Sequence, residues 1–228
     1  MICKCNVLST GSKGNAVQLE DRILLDCGVP YKTLVPIVRS LNLVLLSHVH
    51  SDHFNKAAVR RLAADRPLLR FGCGEWMVLP LVEAGVDPRK IQVFSMGVSY
   101  RCNIFGEIFL IEPFTLYHDV PNCGWKISTP GKKKVLYATD TMTMEGVCAP
   151  DYDLYLIEAN HDQDEIRRRA AEKHYDGKFS YEDRAMRTHL SRQQADAWLV
   201  ENAASFSEIL YLHQHQDQEG DGEPDGDV

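Results

Sequence analysis

Short apolar runs alternate with turn residues over the first quarter of the chain, and that rhythm predicts strands. Residues 2–8, 16–19 and 22–26 are rich in apolar side chains, and Gly11-Ser12-Lys13-Gly14-Asn15 separates the first two runs. Runs bounded in this way read as a meander of strands. Residues 31–40 suit a helix, and Leu43-Val44-Leu45-Leu46 reads as a strand buried on both faces. Helices are expected at 54–64 and 75–84, the second kinked or cut short by Pro80. A second series of strands follows at 91–94, 104–111, 115–117, 125–128, 134–138 and 154–157. Helices at 164–172 and 192–204 and a strand at 209–212 complete the pattern, and Ser191 with Gln194 three residues on fits a capping box. Two strand-rich halves, each followed by helices, predict a layered α/β sandwich forming one domain over residues 1–215.

At 228 residues and 44% apolar content, the chain has enough material for a sizeable single core. No stretch reaches the roughly 18 apolar residues that a membrane helix needs. The first six residues, Met1-Ile2-Cys3-Lys4-Cys5-Asn6, carry no apolar run of signal-peptide length. Seven cysteines, an odd number without any CxxC pair, point to reduced thiols rather than a disulfide framework, hence to a cytoplasmic protein. Cys3 and Cys5 share a strand face, where ordinary packing accounts for them.

Net charge is −7, which at first sight disfavours a nucleic-acid partner. The distribution changes that reading. Residues 216–228 hold six of the 32 acidic residues and no lysine or arginine; the other 26 acids face 25 basic residues, a net of −1. The acidic tail has almost no apolar residue, and its composition predicts disorder. The body is near neutral and has room for a local basic patch.

The chemistry begins at His48-Val49-His50-Ser51-Asp52-His53, directly after the apolar run 43–46. Imidazole and carboxylate suit zinc, manganese and iron. On a loop after a strand, His48 and His50 can converge on one ion while Asp52 and His53 turn towards a second. Three histidines and an acid within six residues are hard to explain as a merely solvated loop. His118 and His213 each end an apolar run, and Asp140 follows another. Alone, each suits a satisfied core residue or an Asx-type turn equally well.

This pattern resembles the metallo-β-lactamase superfamily, whose HxHxDH signature is intact, and the likeness runs across nearly all of residues 1–215. Ile23-Leu24-Leu25-Asp26-Cys27-Gly28 is similar to the superfamily's first motif, in which the aspartate braces the metal loop. The resemblance implies an αββα sandwich of four layers and two divalent metal ions, Zn²⁺ or Mn²⁺ with Fe as a further choice. It implies His48, His50 and His118 on one ion, Asp52, His53 and His213 on the other, and Asp140 between them. His215, two positions beyond His213, is an alternative to it.

Ser9-Thr10-Gly11-Ser12-Lys13-Gly14-Asn15, His118-Asp119-Val120-Pro121, Glu158-Ala159-Asn160-His161-Asp162 and Thr188-His189-Leu190-Ser191 resemble the YycJ/WalJ-like branch, which is nuclease-like and related to ribonuclease Z and the β-CASP enzymes. Thr188 stands where that branch usually has glycine, and Gln214-His215 follows His213 where it usually has Leu-Ser. The resemblance implies that His189 protonates the leaving oxygen, and Glu158 and His161 are candidates to orient it. Ser12 and Asn15, in the Gly-rich turn, are candidate substrate contacts through a phosphate-binding nest.

The basic residues Arg167-Arg168-Arg169, Lys173, Lys178, Arg184, Arg187 and Arg192 are diluted by five acids, so a solvated face and a phosphate-contacting one are both open. The function expected is a two-metal phosphodiesterase, a nuclease with DNA ahead of RNA, in which a metal-bridging hydroxide attacks phosphorus. The rivals are a small-molecule hydrolase acting on a cyclic phosphodiester, thioester or lactone, and a binding subunit without catalysis.

Overall fold

The structure, a computed structural model, describes residues 3–213; the acidic tail and His215 lie outside the described residues. Among the described residues twelve strands form two six-stranded sheets. The first holds β1 (Cys5–Ser9), β2 (Ala16–Leu19), β3 (Ile23–Leu25), β4 (Leu43–Leu46), β5 (Arg70–Cys73) and β6 (Ile91–Val93), in chain order. The second runs β12-β11-β10-β9-β8-β7, from β7 (Tyr100–Ile104), β8 (Glu107–Leu116), β9 (Asn122–Ser128), β10 (Lys134–Ala138), β11 (Leu154–Glu158) and β12 (Glu208–Leu212). Each sheet is antiparallel where hairpins build it and parallel where longer crossovers do: β3-β4-β5-β6 in one, β10-β11-β12 in the other, the β10–β11 crossover being a loop without a helix.

Strand periodicity explains the layers. Ile23, Leu25, Leu43 and Leu45 point one way and meet Trp125, Ile127, Val135, Tyr137, Leu154 and Leu156 of the other sheet, forming the central core. Leu24, Val44 and Leu46 point the opposite way, against α1 (Tyr31–Leu34), α2 (Lys56–Asp65) and α3 (Val78–Glu83). Leu136, Ala138, Tyr155 and Ile157 pack on Ala195 and Leu199 of α6 (Arg192–Asn202). A strand apolar on both faces needs a cover on both sides, and the expected four-layer αββα order follows.

Several expectations are corrected locally. The helix expected over 31–40 stops at Leu34, because Pro36 lacks the N–H that would bond back to Lys32; the segment continues as turns such as Ile37 N–H to Leu34 O, 2.9 Å. Pro80 kinks nothing: a 3₁₀ turn (Glu75–Met77) precedes α3, so Pro80 falls in its first turn, where an N–H has no helical acceptor. Residues 104–111 are a hairpin rather than one strand, turning at Phe105 (φ 52°) and Gly106 (φ 86°). Strand β5 and helix α5 (Tyr181–Thr188), between α4 (Gln163–Tyr175) and α6, carry too little periodic apolar sequence to be expected. The capping box on α6 is present as expected.

Gly28 fixes how closely the first sheet approaches the histidine loop. Its N–H donates to Asn15 O at 2.9 Å, and a Cβ there would lie 1.7 Å from Asp52 O, inside backbone that cannot yield. Gly28→Ala should therefore destabilise the fold by about 3 kcal/mol, the upper end for overpacking, and reduce metal uptake. Thermal denaturation and metal analysis check this; an unchanged Tm would mean that the loop has room to move.

Candidate metal centre

The polar side chains gather at one edge of the sandwich because they follow the carboxyl ends of neighbouring strands: Asp26 after β3, His48–His53 after β4, His118 after β8, Asp140 after β10, Glu158 on β11 and His213 after β12. Asp26, Asp140 and His213 all have positive φ, 57°, 54° and 52°. A non-glycine residue in this region costs about 1 kcal/mol or more and turns its side chain out of the strand's path. Here it turns three of them into the site.

Asp26 is fully buried and accepts four hydrogen bonds: from Ser47 N (2.8 Å), Ser47 Oγ (2.9 Å), Tyr137 Oη (2.7 Å) and His53 Nδ1 (2.7 Å). It braces the loop, as its motif implied. Burial, and then the Asp26 charge, push the Tyr137 hydroxyl well above its usual value, so it stays a donor.

His48, His50 and His118 bring ring nitrogens within 4.8 Å of one another. His118 Nδ1–H donates to Thr188 O at 2.9 Å, which leaves Nε2 as the lone-pair nitrogen. His48 is fully buried, its Nδ1 is 2.9 Å from Ser47 Oγ, and its Nε2 has no hydrogen-bond partner among the described residues, with Asp140 Oδ2 3.9 Å away. Burial, with help from neighbouring imidazoles, holds His48 well below its usual pKa, in the neutral form that ligates metals. An orphaned buried nitrogen among imidazoles and a carboxylate fits a metal ion.

The donors expected on a second ion are spread differently. His53 Nε2 lies 2.5 Å from Asp140 Oδ2 and 3.7 Å from Asp52 Oδ2, and His213 Nε2 is 3.8 Å from Asp52 Oδ2. Asp52, His53 and His213 thus meet pairwise around a space rather than as one tight group. The tight groups are His48–His53–Asp140 and Asp140–Glu158–His189–His213, so Asp140 touches both sides, as a bridging residue would.

Glu158, fully buried, accepts from His189 Nδ1 (2.6 Å), His213 Nδ1 (3.1 Å), Thr141 N (3.0 Å) and Leu190 N (3.1 Å). It holds the two histidines through these bonds, the arrangement that a group orienting His189 would have. His161 does not share this task; its Nδ1 faces Asn160 Oδ1 at 3.4 Å. Asn15 also moves from its expected role. Only 2% exposed, it bonds Gly11 N, Asp52 O and His53 Nε2 and so braces the histidine loop, whereas Ser12 lines the cleft.

The cleft over these groups encloses about 260 Å³ and is walled by α5 through Tyr181, Arg184 and Thr188. A larger hollow of about 450 Å³, at the opposite ends of β3 and β4, has arginines and acids but, among the described residues, no cluster of metal donors. Asp119, which carried no expected role, sets Oδ1 3.1 Å from His118 Nε2 and 3.3 Å from His50 Nε2. Most of the basic cluster proves to be paired surface: Arg168 with Glu172, Lys173 with Glu182, Lys178 with Asp176. Arg184 is the member of it that reaches the cleft.

Two facing sheets with a histidine–aspartate cluster at one edge define a metallo-β-lactamase-type protein. The chain belongs to the β-lactamase superfamily, whose domain (Beta-lactamase superfamily domain) matches residues 21–213. It is 29% identical over 182 residues to exodeoxyribonuclease WalJ of Streptococcus pneumoniae, covering 72% of this chain and 65% of that one. To exodeoxyribonuclease YycJ of Bacillus anthracis it is 25% identical over 176 residues, covering 71% and 64%. The chain thus spans just under two thirds of the length of these relatives. Among solved structures, the metallo-β-lactamase fold protein YhfI of Bacillus subtilis superposes with a TM-score of 0.71 at 19% identity, covering 95% of this chain and 88% of that one. Human tRNase Z, short form, gives 0.66 at 15%, covering 93% and 92%. Among the described residues no helix is long and apolar enough to cross a membrane.

The cluster's charge has a consequence for metal-free protein. Burial lowers the pKa of His189, but hydrogen bonds to Asp140 and Glu158 outweigh it and push the value up to about 9; His53 is likewise pushed up to about 10, chiefly by Asp140 and Asp26. Stability from these pairs is complete below the unfolded histidine value near 6.5 and disappears as pH rises through about 9 and 10. In chelator, Tm should therefore fall between pH 7.5 and 10, and added Zn²⁺ or Mn²⁺ should flatten the fall. A level Tm in chelator would contradict these pairings.

Proposed function

We propose that this chain is a metal-dependent phosphodiesterase acting as a nuclease, with DNA preferred to RNA. The observation that carries the reading is the buried, neutral His48 Nε2, without a hydrogen-bond partner among the described residues, in the histidine–aspartate cluster that also holds a Glu158–His189 pair. The names of the two exodeoxyribonuclease relatives support the substrate class.

His48, His50 and His118 would hold one divalent ion, Asp52, His53 and His213 a second, with Asp140 shared between them. Such ions, when bound, lower the pKa of water and offset charge on the attacked phosphate. The chain's own contribution is to hold the substrate and deliver a proton. His189 Nδ1 is tied to Glu158 (2.6 Å) and Asp140 (3.1 Å), which leaves Nε2 as the nitrogen that can face the departing oxygen. In the metal-free chain the same two carboxylates push the His189 pKa up to about 9, towards the protonated state that a general acid requires. Glu158 keeps the ring from turning.

A cleft of about 260 Å³ holds a group of roughly one nucleotide, which also suits a small phosphodiester. Metal-loaded protein incubated with end-labelled DNA and RNA and with bis-p-nitrophenyl phosphate separates these readings. Turnover of the ester alone would favour the small-molecule enzyme.

His48→Ala and Asp140→Ala should each abolish turnover and lower the metal content. Asp140→Ala protein that kept two ions per chain and full turnover would remove Asp140 from the bridging position. His189→Ala should retain metal yet lose about 10²–10⁴-fold on DNA, the usual contribution of a placed acid. The loss should shrink sharply on bis-p-nitrophenyl phosphate, whose phenolate leaves without a proton. Equal losses on both substrates would refute the acid role.

A further inference from the structure

Among the described residues lining the cleft Arg184 is the only lysine or arginine, and its side chain is 62% exposed. One Nη2–H donates to Asp119 Oδ2 at 2.6 Å, which leaves most of the guanidinium's five donors for another partner. The opposite oxygen of Asp119 faces His118 and His50. The carboxylate therefore stands between the guanidinium and the metal donors and holds the cation one group away from where bond breaking would occur. Helix α5 fixes that distance. Lys173–Glu182 (2.7 Å) and His174–Asp183 (2.6 Å) tie it to α4, and Thr188 O accepts from His118 at its far end. Among the described residues lining the cleft the other charged groups are carboxylates and imidazoles, so Arg184 is the one guanidinium or ammonium that an entering polyanionic chain meets there.

We propose that Arg184 binds the nucleic-acid phosphate adjacent to the scissile one, and that Asp119 positions it there. This rests on the nuclease reading. Guanidinium matches a phosphate bidentately, and a cation set back from the metal donors meets the next link of the chain rather than the reacting one. Bis-p-nitrophenyl phosphate has no second phosphate, so it reports on the reacting centre alone.

The test uses full-length, metal-loaded protein, a single-stranded DNA oligonucleotide and bis-p-nitrophenyl phosphate, with metal content measured for every variant. Arg184→Ala should raise KM for the oligonucleotide roughly 10- to 100-fold, the range for a lost charge-assisted hydrogen bond, with a much smaller change in kcat. Its loss on the ester should be at least about tenfold smaller than on DNA. In a His189→Ala background, which slows cleavage, removing Arg184 should lower the salt slope of oligonucleotide binding by about one. Arg184→Lys should restore the slope but not the full KM. Asp119→Asn should raise KM in the same direction and add nothing to Arg184→Ala.

Equal losses on both substrates, or an unchanged salt slope, would overturn the assignment while leaving the nuclease reading intact. Wild-type protein that hydrolyses the ester but neither binds nor cuts DNA would overturn both.

Discussion

The buried carboxylate of Asp26 is the constraint on which the site depends. A carboxylate without solvent is costly unless its oxygens find donors, and Asp26 accepts one hydrogen bond at Oδ1 and three at Oδ2, from Ser47, His53 and Tyr137. Those donors come from different places: Ser47 and His53 from the loop after β4, Tyr137 from β10 of the opposite sheet. Satisfying one charge therefore brings two sheets and the histidine loop into a single register. The ring orientations that expose His48 Nε2 follow from it, because Ser47 bonds both Asp26 and His48.

Around that anchor the site is balanced by charge. Asp140 and Glu158 are buried beside His53, His189 and His213, and in the metal-free chain the imidazoles take up protons to match them. His48, deeper and among other imidazoles, goes the other way and stays neutral. The same cluster thus has one side that supplies lone pairs and another that holds protons. That division suits an enzyme that needs Lewis acidity and a proton donor within one small cleft. Helix α5 joins the two sides, since its last turn carries Thr188 against His118 and leads directly into His189.

Much of this was legible along the chain. The apolar runs 16–19, 43–46, 134–138 and 154–157 became strands at or within a residue of those bounds, because a strand covered on both faces needs continuous apolar sequence. His48 to His53, His118, Asp140 and His213 gather at one edge because each follows a strand whose pattern could be read. Strand β5 was not visible, since Arg70-Phe71-Gly72-Cys73 has no alternation and owes its place to pairing with β4. Helix α5 was not visible either. Its polar sequence leaves Ala185 and Glu182 buried, and contacts with α4 rather than an apolar stripe hold it.

By itself, the sequence determined most of the strands and the His48–His53 cluster, because local periodicity and spacing encode these directly; the four layers and the candidates His118, Asp140 and His213 came from the resemblance of its motifs to a family. The tertiary structure alone decided their partners. Asn15 became a brace, since a buried amide is spent on its own loop. Glu158 became the holder of His189, and Asp119 reached Arg184 across 65 positions of chain. Such pairings depend on where strand ends meet, and the positive φ values of Asp26, Asp140 and His213 that aim their side chains are maintained by the surrounding packing rather than by local preference.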